Sequence, residues 1–200
     1  MKSNILSFSI VLLVLVASAM TTSAQDNKSW STAGSTGTAD KVDLNKIVYR
    51  DGVVSFPELG GTQLSSVRRV SLQVQTLQTV QAVIRYNVTA ADGLMFTSGR
   101  HCMGVRFRDD GNRARVFLRL IQSNLENGAT TQLLTFDSNS FAPQPDFQVN
   151  SVSTNRIPFD FSHNAYYVEA TLIKQQPIVT SIGAGRPALA SVVLTRCLQF

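Results

Sequence analysis

The sequence predicts an all-β protein, an antiparallel β-sandwich in a single domain. From Val42 onward, apolar and polar residues alternate with a period of two, and helical periodicity is almost absent. Turn-forming pairs such as Asp51-Gly52, Asp92-Gly93 and Asn127-Gly128 separate several of these alternating stretches. Many short strands joined by close turns are typical of sandwiches and barrels.

The alternation is clearest in residues 80–88 and 165–172. In the second stretch Tyr166, Val168 and Leu172 share one face, and Glu169 lies on the other. One apolar and one polar face per strand is what an antiparallel sheet packed on one side requires. The predicted strands are 42–49, 53–56, 66–77, 79–90, 94–98, 103–108, 113–121, 131–136, 146–152, 165–174 and 187–195.

The first residues have the pattern of a secretory signal peptide. Met1-Lys2 gives a positive start, 5–16 is almost wholly apolar, and small residues follow up to Ala19 and Ala24. Both alanines end a small-x-Ala triplet, and we expect cleavage after Ala24, so that 1–24 is removed. The protein is then extracellular or periplasmic. The apolar run is shorter than the roughly 20 residues of a membrane span, and no later segment predicts one.

Two regions remain after this cleavage. Residues 25–41, rich in Ser, Thr and Gly, are interpreted as a loose leader or an irregular first strand. Residues 42–200 are predicted to form the sandwich domain, which is within the usual size of one domain.

The charge of the chain is mildly basic. The formal net charge is +5, with 18 Lys and Arg against 13 Asp and Glu, and it falls by one when Lys2 is removed. This is too small an excess to indicate a nucleic-acid partner. It is compatible with acidic polymers such as anionic polysaccharide.

The chain has two cysteines, Cys102 and Cys197. In an exported protein an even count favours a disulfide, and this one would close a loop of about 95 residues, for which chain entropy predicts about 4–5 kcal/mol. The alternative is a pair of buried free thiols.

Four runs resemble a group of secreted bacterial proteins to which no activity is assigned. The resemblance implies a bacterial origin and a jelly-roll-like sandwich, and it implies no functional residues. The runs are IRYNV at 84–88, VRFRDDG at 105–111, LLTFDSN at 133–139 and NAYYVEA at 164–170.

Residues 103–121 are predicted to form a β-hairpin around the turn Asp110-Gly111. This register gives the hairpin one wholly apolar face, with Val105 opposite Val116. It places Arg108 opposite Arg113 and Arg106 opposite Arg115, and alternation adds Arg119 to the same face.

Like charges opposite one another cost a few tenths to about 1 kcal/mol per pair, so something should compensate them. One interpretation is acidic neighbours on adjacent strands, or side chains splayed into water. The other is an anion-binding face, because guanidinium groups bind carboxylate, sulfate or phosphate in a bidentate way.

Other kinds of site have weaker support. With His101 and His163 as the only histidines, and no metal-binding spacing, neither a zinc site nor any cofactor is expected. No G-x-S-x-G motif indicates a hydrolase. Asp109 to Asn112 is explained as a tight turn rather than a calcium loop.

The favoured function is a non-catalytic extracellular binding module for an anionic glycan or surface polymer. A structural or assembly subunit, in which residues 25–40 pair with a neighbour's sheet, is the alternative, and a hydrolase is least favoured. Trp30, Tyr49 and Tyr167 are candidates for exposed aromatic side chains that stack on sugars, and ordinary core or rim packing is the default interpretation for all three.

Overall fold

A computed structural model describes residues 29–57, 77–90, 94–95, 98–111, 113–177 and 185–197. Within these ranges, no helix has the length and hydropathy needed to cross a membrane. The described residues form eleven β-strands and short 3-10 turns. The strands are β1 (Trp30–Ala33), β2 (Thr38–Ala39), β3 (Val48–Arg50), β4 (Val53–Ser55), β5 (Leu77–Val88), β6 (His101–Asp109), β7 (Ala114–Asn124), β8 (Thr130–Asp137), β9 (Gln144–Thr154), β10 (Asn164–Pro177) and β11 (Ala188–Arg196).

The strands form two antiparallel sheets. Sheet A has the order β3-β4-β11-β6-β9, with β1 also paired to β11, and sheet B has the order β2-β5-β10-β7-β8. From β5 onward the chain crosses repeatedly from one sheet to the other, as it does in a jelly roll. The predicted fold class, an antiparallel jelly-roll-like sandwich, is confirmed.

The inner faces of the two sheets form the core. In β6, Met103, Val105 and Phe107 are buried, and in β7 the buried side chains include Val116 and Leu118. The Phe107 ring meets Phe136 of sheet B edge to face, with 5.1 Å between centroids and 73° between planes. Such pairs add about 0.5–1.5 kcal/mol beyond area burial, so this contact helps to hold the sheets together.

The two clearest alternating stretches pair with each other. Residues 80–88 lie in β5 and 165–172 lie in β10, with Tyr86 opposite Val168 and Ile84 opposite Ala170. All four of these side chains are buried, which confirms the assignment of faces.

The predicted hairpin of 103–121 is wrong. Strand β6 pairs with β11 and β9 in sheet A, and β7 pairs with β10 and β8 in sheet B. The connection turns at Gly111, which has a φ of +119°, and carries the chain over the rim of the sandwich. Both strands bury their apolar faces by facing each other across the core rather than by lying side by side. Alternation identifies a buried face but not the neighbouring strand.

The predicted strand 42–49 is largely wrong, because 41–46 forms a turn and a 3-10 segment. Asp43 fixes this segment: its carboxylate accepts hydrogen bonds from Lys46 Nζ at 2.6 Å and from the Val83 amide of β5 at 3.0 Å. Desolvation raises the pKa of Asp43, but these partners outweigh it and leave the pKa below its usual value. Leu94 lies in a 3-10 turn rather than a strand, and 66–76 lies outside the described residues.

The N-terminal segment belongs to the sandwich. Strand β1 pairs with β11 and β2 pairs with β5, so 30–39 spans from one sheet to the other. Residues 25–41 were interpreted as either a loose leader or an irregular first strand, and within this segment Trp30–Ala33 forms a strand.

The disulfide is confirmed. Cys102 and Cys197 are bonded, with their Cα atoms 5.1 Å apart, and the bond links the start of β6 to the residue that follows β11. The two strands are neighbours in sheet A, so the bond reinforces an existing pairing.

Candidate functional site

The five arginines proposed as one face are separated by the crossing between β6 and β7. Arg106 and Arg108 lie in sheet A, whereas Arg115 and Arg119 lie in sheet B and Arg113 precedes β7. The prediction of a single arginine face is therefore wrong. The sheet A pair and the sheet B group have different surroundings.

On the outer face of sheet B, the arginines are matched by acids. Glu169 lies directly between Arg85 and Arg119 in the strand register and forms ion pairs with both, the one to Arg85 measuring 3.0 Å. Arg85 also reaches Asp40 at 2.5 Å. Glu169 is only 7% exposed because the two guanidinium groups cover it. For Arg119, the interpretation of acidic neighbours holds.

Arg115 is also paired with an acid. Its Nε and Nη2 donate to the two carboxylate oxygens of Asp137 at 2.9 and 2.6 Å, and its guanidinium lies 4.8 Å from the centroid of the Phe117 ring. Burial raises the pKa of Asp137, but hydrogen bonds from Arg115 and Asn139 outweigh it, so the pKa is below its usual value.

Arg113 and Arg115 border a cleft of about 600 Å³ at one end of the sandwich, here called the end cleft. The buried Asp109 carboxylate lines it and accepts hydrogen bonds from the Gly111 amide and the Ser138 hydroxyl. A fixed carboxylate beside an arginine that is already paired disfavours an anionic ligand here. The other lining residues are Ala114, Asn139, Phe141, Pro143, Ile173 and Gln175.

Arg106 and Arg108 share one aromatic ring on the outer face of sheet A. Each guanidinium carbon lies 5.6 Å from the centroid of Phe147 on β9. Arg108 Nε donates to the Arg186 carbonyl at 3.1 Å. Arg106 is exposed, and among the described residues no carboxylate forms an ion pair with it. Cation–π contacts of this kind, worth about 0.5–1 kcal/mol at exposed sites, orient the guanidinium groups.

A groove of about 570 Å³ begins at Arg106 and Phe147 and runs across sheet A; we call it the Arg106 groove. On the same outer face, Gly104 of β6 leaves open space, since a Cβ added there would meet no heavy atom within 4 Å. The remaining lining residues are Ser31, Thr32, Ala33, Asp51, Gly52, Val53, Ala190, Ser191 and Val193.

A Ser, a His and an Asp meet in the turn before β10. Asp160 Oδ2 lies 2.8 Å from His163 Nδ1, and the Ser162 hydroxyl contacts both side chains, at 2.5 Å from Asp160 Oδ1 and 3.2 Å from the same histidine nitrogen. In a hydrolytic triad the serine and the acid contact opposite nitrogens of the ring. Here both face Nδ1 in an exposed turn, so the cluster caps the turn and cannot relay a proton from the serine.

The structure describes no group of three or more His, Cys, Asp and Glu side chains placed to hold a metal ion. Of the aromatic candidates for stacking on sugars, Trp30 follows the default interpretation of core packing, since it is 7% exposed. Sequence reasoning missed Phe147. Its position in the predicted strand 146–152, where Val149 and Ser151 share its face by alternation, was the available signal.

No family model matches the chain, and no curated protein matches it. Among solved structures it is similar to TmCBM61 in complex with β-1,4-galactotriose, at 8% identity and a TM-score of 0.33, over 84% of this chain and 88% of that one. It is similar to the xylan-binding module CBM15, at 12% identity and a TM-score of 0.33, over 74% and 98%. A third similar structure is the CBM22-1–GH10 part of Clostridium thermocellum xylanase 10B complexed with xylohexaose. The identity is 12% and the TM-score 0.30, and the match covers 62% of this chain and 25% of that one. With TM-scores of 0.30–0.33 and identities of 8–12%, these similarities assign no function to this chain.

Proposed function

We propose that the protein is an exported, non-catalytic glycan-binding module whose site is the Arg106 groove and whose ligand carries carboxylate or sulfate groups. The observation that carries this proposal is the difference between the arginines. Arg115 and Arg119 are neutralised by acids, whereas the exposed guanidinium of Arg106 rests against Phe147 without a carboxylate partner among the described residues.

An anionic group supplies the partner that Arg106 lacks. A carboxylate or sulfate can accept two parallel hydrogen bonds from a guanidinium, and such charge-assisted bonds are about twice as strong as neutral ones. Phe147 and Val193 offer apolar surface to the C–H face of a sugar ring, and the nearby Ser31 and Ser191 hydroxyls can exchange hydrogen bonds with sugar hydroxyls.

The dimensions of the groove suit an oligosaccharide. A volume of about 570 Å³ is within the roughly 300–1,000 Å³ of small-ligand sites. Its lining comes from β1 and β4 on one side, then β11, β6 and β9. At about 4.8 Å between strands, it extends about 14 Å across the sheet, which favours a chain of sugars over a single ring.

A non-catalytic role is supported by the carboxylates of the groove. Asp51 is the one acid among the described residues that line the groove, and its side chain lies 3.3 Å from Arg50. Hydrolysis of a glycosidic bond needs two carboxylates on either side of that bond. Export is supported by the bonded Cys102 and Cys197, since disulfides persist in oxidising compartments.

The test is binding of the purified protein to a polyuronate, a sulfated dextran and uncharged dextran, by isothermal titration calorimetry at low and high salt. We expect binding to the two charged polymers, weakened by salt, and a loss of about tenfold to a hundredfold in Arg106→Ala and in Phe147→Ala. Arg119→Ala, which removes an arginine already paired, is the matched control and should bind like the wild type. Equal binding to uncharged dextran, or equal losses in Arg106→Ala and Arg119→Ala, would overturn the proposal.

A further inference from the structure

Among the residues that the structure describes, strand β9 is an unusually long sheet edge without the usual protection. The strands at the ends of the two sheet orders are β3, β2, β8 and β9, of three, two, eight and eleven residues. Proteins protect edges by shortness, Lys, Pro or inward-pointing charge. In β9, Pro145 and the one charged residue, Asp146, both lie within its first three residues, which leaves 147–154 without either device.

The middle of this edge carries an exposed apolar side chain. Val149 is the sixth of the eleven residues of β9 and is 70% exposed. It lies opposite Arg106 in the register with β6, and so its side chain is on the outer face of sheet A. A large exposed aliphatic residue at the midpoint of an edge strand is buried if another strand is added there.

We propose that β9 pairs antiparallel with β9 of a second copy of this chain, on a two-fold axis at Val149. In this register every residue of β9 has a partner, because the strand extends equally on both sides of Val149. Val149 meets its own copy, Phe147 meets Ser151, and the charged Asp146 meets Val152, so no like charges are opposed. An apolar side chain on the axis and no opposed like charges are what an isologous interface between two copies requires.

Dimerisation makes the outer faces of the two sheets continuous. The order across the axis becomes β6-β9-β9-β6, and three strand spacings of about 4.8 Å place the two β6 strands about 14 Å apart. Both Arg106 grooves then open on the same side of one extended sheet. If the groove binds an anionic polymer, as proposed above, one ligand chain engages two sites and gains avidity. That consequence depends on the proposed function, whereas the dimer does not.

The test is the molecular mass of the protein without any glycan, by sedimentation equilibrium over a range of concentrations. We expect a dimer in the wild type and at least a tenfold rise in the dimer dissociation constant in Val149→Lys, because two ammonium groups then oppose each other at the axis. Ser153→Lys is the matched control: Ser153 is exposed on the same strand and face but faces Pro145 of the other copy, so no two lysines are opposed and the dimer dissociation constant should rise much less than in Val149→Lys. A monomer at every concentration, or equal weakening by both variants, overturns the proposal.

Cross-linking gives a second readout. Directly opposed Cβ atoms of an antiparallel pair lie about 4.5–5.5 Å apart, close enough for a disulfide to form with little movement. Mild oxidation should link Val149→Cys into a covalent dimer and leave Ser151→Cys, which faces Phe147 of the other copy, monomeric. These two positions lie opposite Arg106 and Gly104 in the register with β6, so neither new thiol adjoins the native disulfide. Absence of the covalent Val149→Cys dimer would contradict the register. Neither measurement involves a glycan, so failure of the dimer and failure of the Arg106 groove are separate results.

Discussion

The guanidinium of Arg115 holds both carboxylate oxygens of Asp137, through hydrogen bonds of 2.9 and 2.6 Å. Because the pair compensates its own charge, Arg115 should contribute to stability and not to anion binding. We expect Arg115→Ala to lower the free energy of unfolding by about 1 kcal/mol, a modest value since the pair is partly exposed, and to leave the affinity for a polyuronate within about twofold. Urea denaturation and calorimetry measure the two effects. A tenfold loss of affinity in Arg115→Ala would contradict this prediction and indicate that the anion binds in the end cleft.

A second prediction concerns the ion pairs across sheet B. Glu169 is buried between Arg85 and Arg119, whereas Asp40 contacts Arg85 from an exposed position, with 40% of its side chain accessible. Glu169→Gln should cost about 2–3 kcal/mol of unfolding free energy, because it leaves a covered network without its anion. Asp40→Asn should cost about 0.5 kcal/mol or less. Equal losses in chemical denaturation would show that burial does not distinguish the two acids.

A third prediction concerns pH. His101 is buried, and its Nδ1 accepts a hydrogen bond from the Ile157 amide at 2.9 Å, so Nε2 carries the proton and donates to the Leu94 carbonyl at 3.0 Å. Desolvation, with a smaller contribution from the charge of Arg156, lowers the pKa of His101 below 6.5 in the folded protein. The unfolded chain therefore binds a proton first as the pH falls.

Stability should then be constant just above about pH 6.5 and decline below it, by at most about 1.4 kcal/mol per pH unit, until the folded-state pKa is reached. Thermal denaturation at closely spaced pH values measures the slope. His101→Gln should remove most of the dependence of stability on pH between about pH 6.5 and 5. This window is used because Asp and Glu titrate near and below pH 5 and add their own pH dependence there. A wild-type slope near zero in this window would contradict the prediction.

A fourth prediction concerns the disulfide. Cys102 and Cys197 close a loop with a sequence separation of 95, so reduction, or a Cys102→Ser and Cys197→Ser double variant, should lower the free energy of unfolding by about 2–5 kcal/mol. Urea denaturation with and without reductant measures this loss. The double variant should show no further effect of reductant. A loss much smaller than 2 kcal/mol would mean that the pairing of β6 and β11 already restrains the unfolded chain.

The faces of the strands could be predicted from the sequence, and the neighbours of each strand could not. Alternation placed Ile84 and Val168 inside correctly because burial follows directly from period two. It could not separate β6 from β7, since a turn such as Asp110-Gly111 joins two strands of one sheet or of two facing sheets equally well. The segment 42–49 was misassigned because Asp43 forms bonds to Lys46 and Val83 that alternation does not encode.

The candidate site could be predicted only in part. Arg106 was identified because it stands beside other arginines in sequence. Its distinction from Arg119 depends on Glu169, which is 50 residues further along the chain and reaches Arg119 only through the pairing of β10 with β7. Phe147 was missed for a related reason: alternation within the predicted strand 146–152 indicates the face on which Phe147 lies, but its contact with Arg106 requires β9 to lie beside β6, which alternation does not encode.

The central position of β11 in sheet A fixes when that sheet can be completed. During synthesis and any vectorial export the N-terminal strands emerge first, yet β1, β4 and β6 all need β11 as a neighbour. The nascent chain therefore has several strands with unpaired edges until residues 188–196 have been synthesised. We expect sheet A to form slowly and after translation, and the unpaired edges need protection from self-association until then. The disulfide between Cys102 and Cys197, formed when an external oxidant takes two electrons from the two thiols, can close only after the last strand is in place.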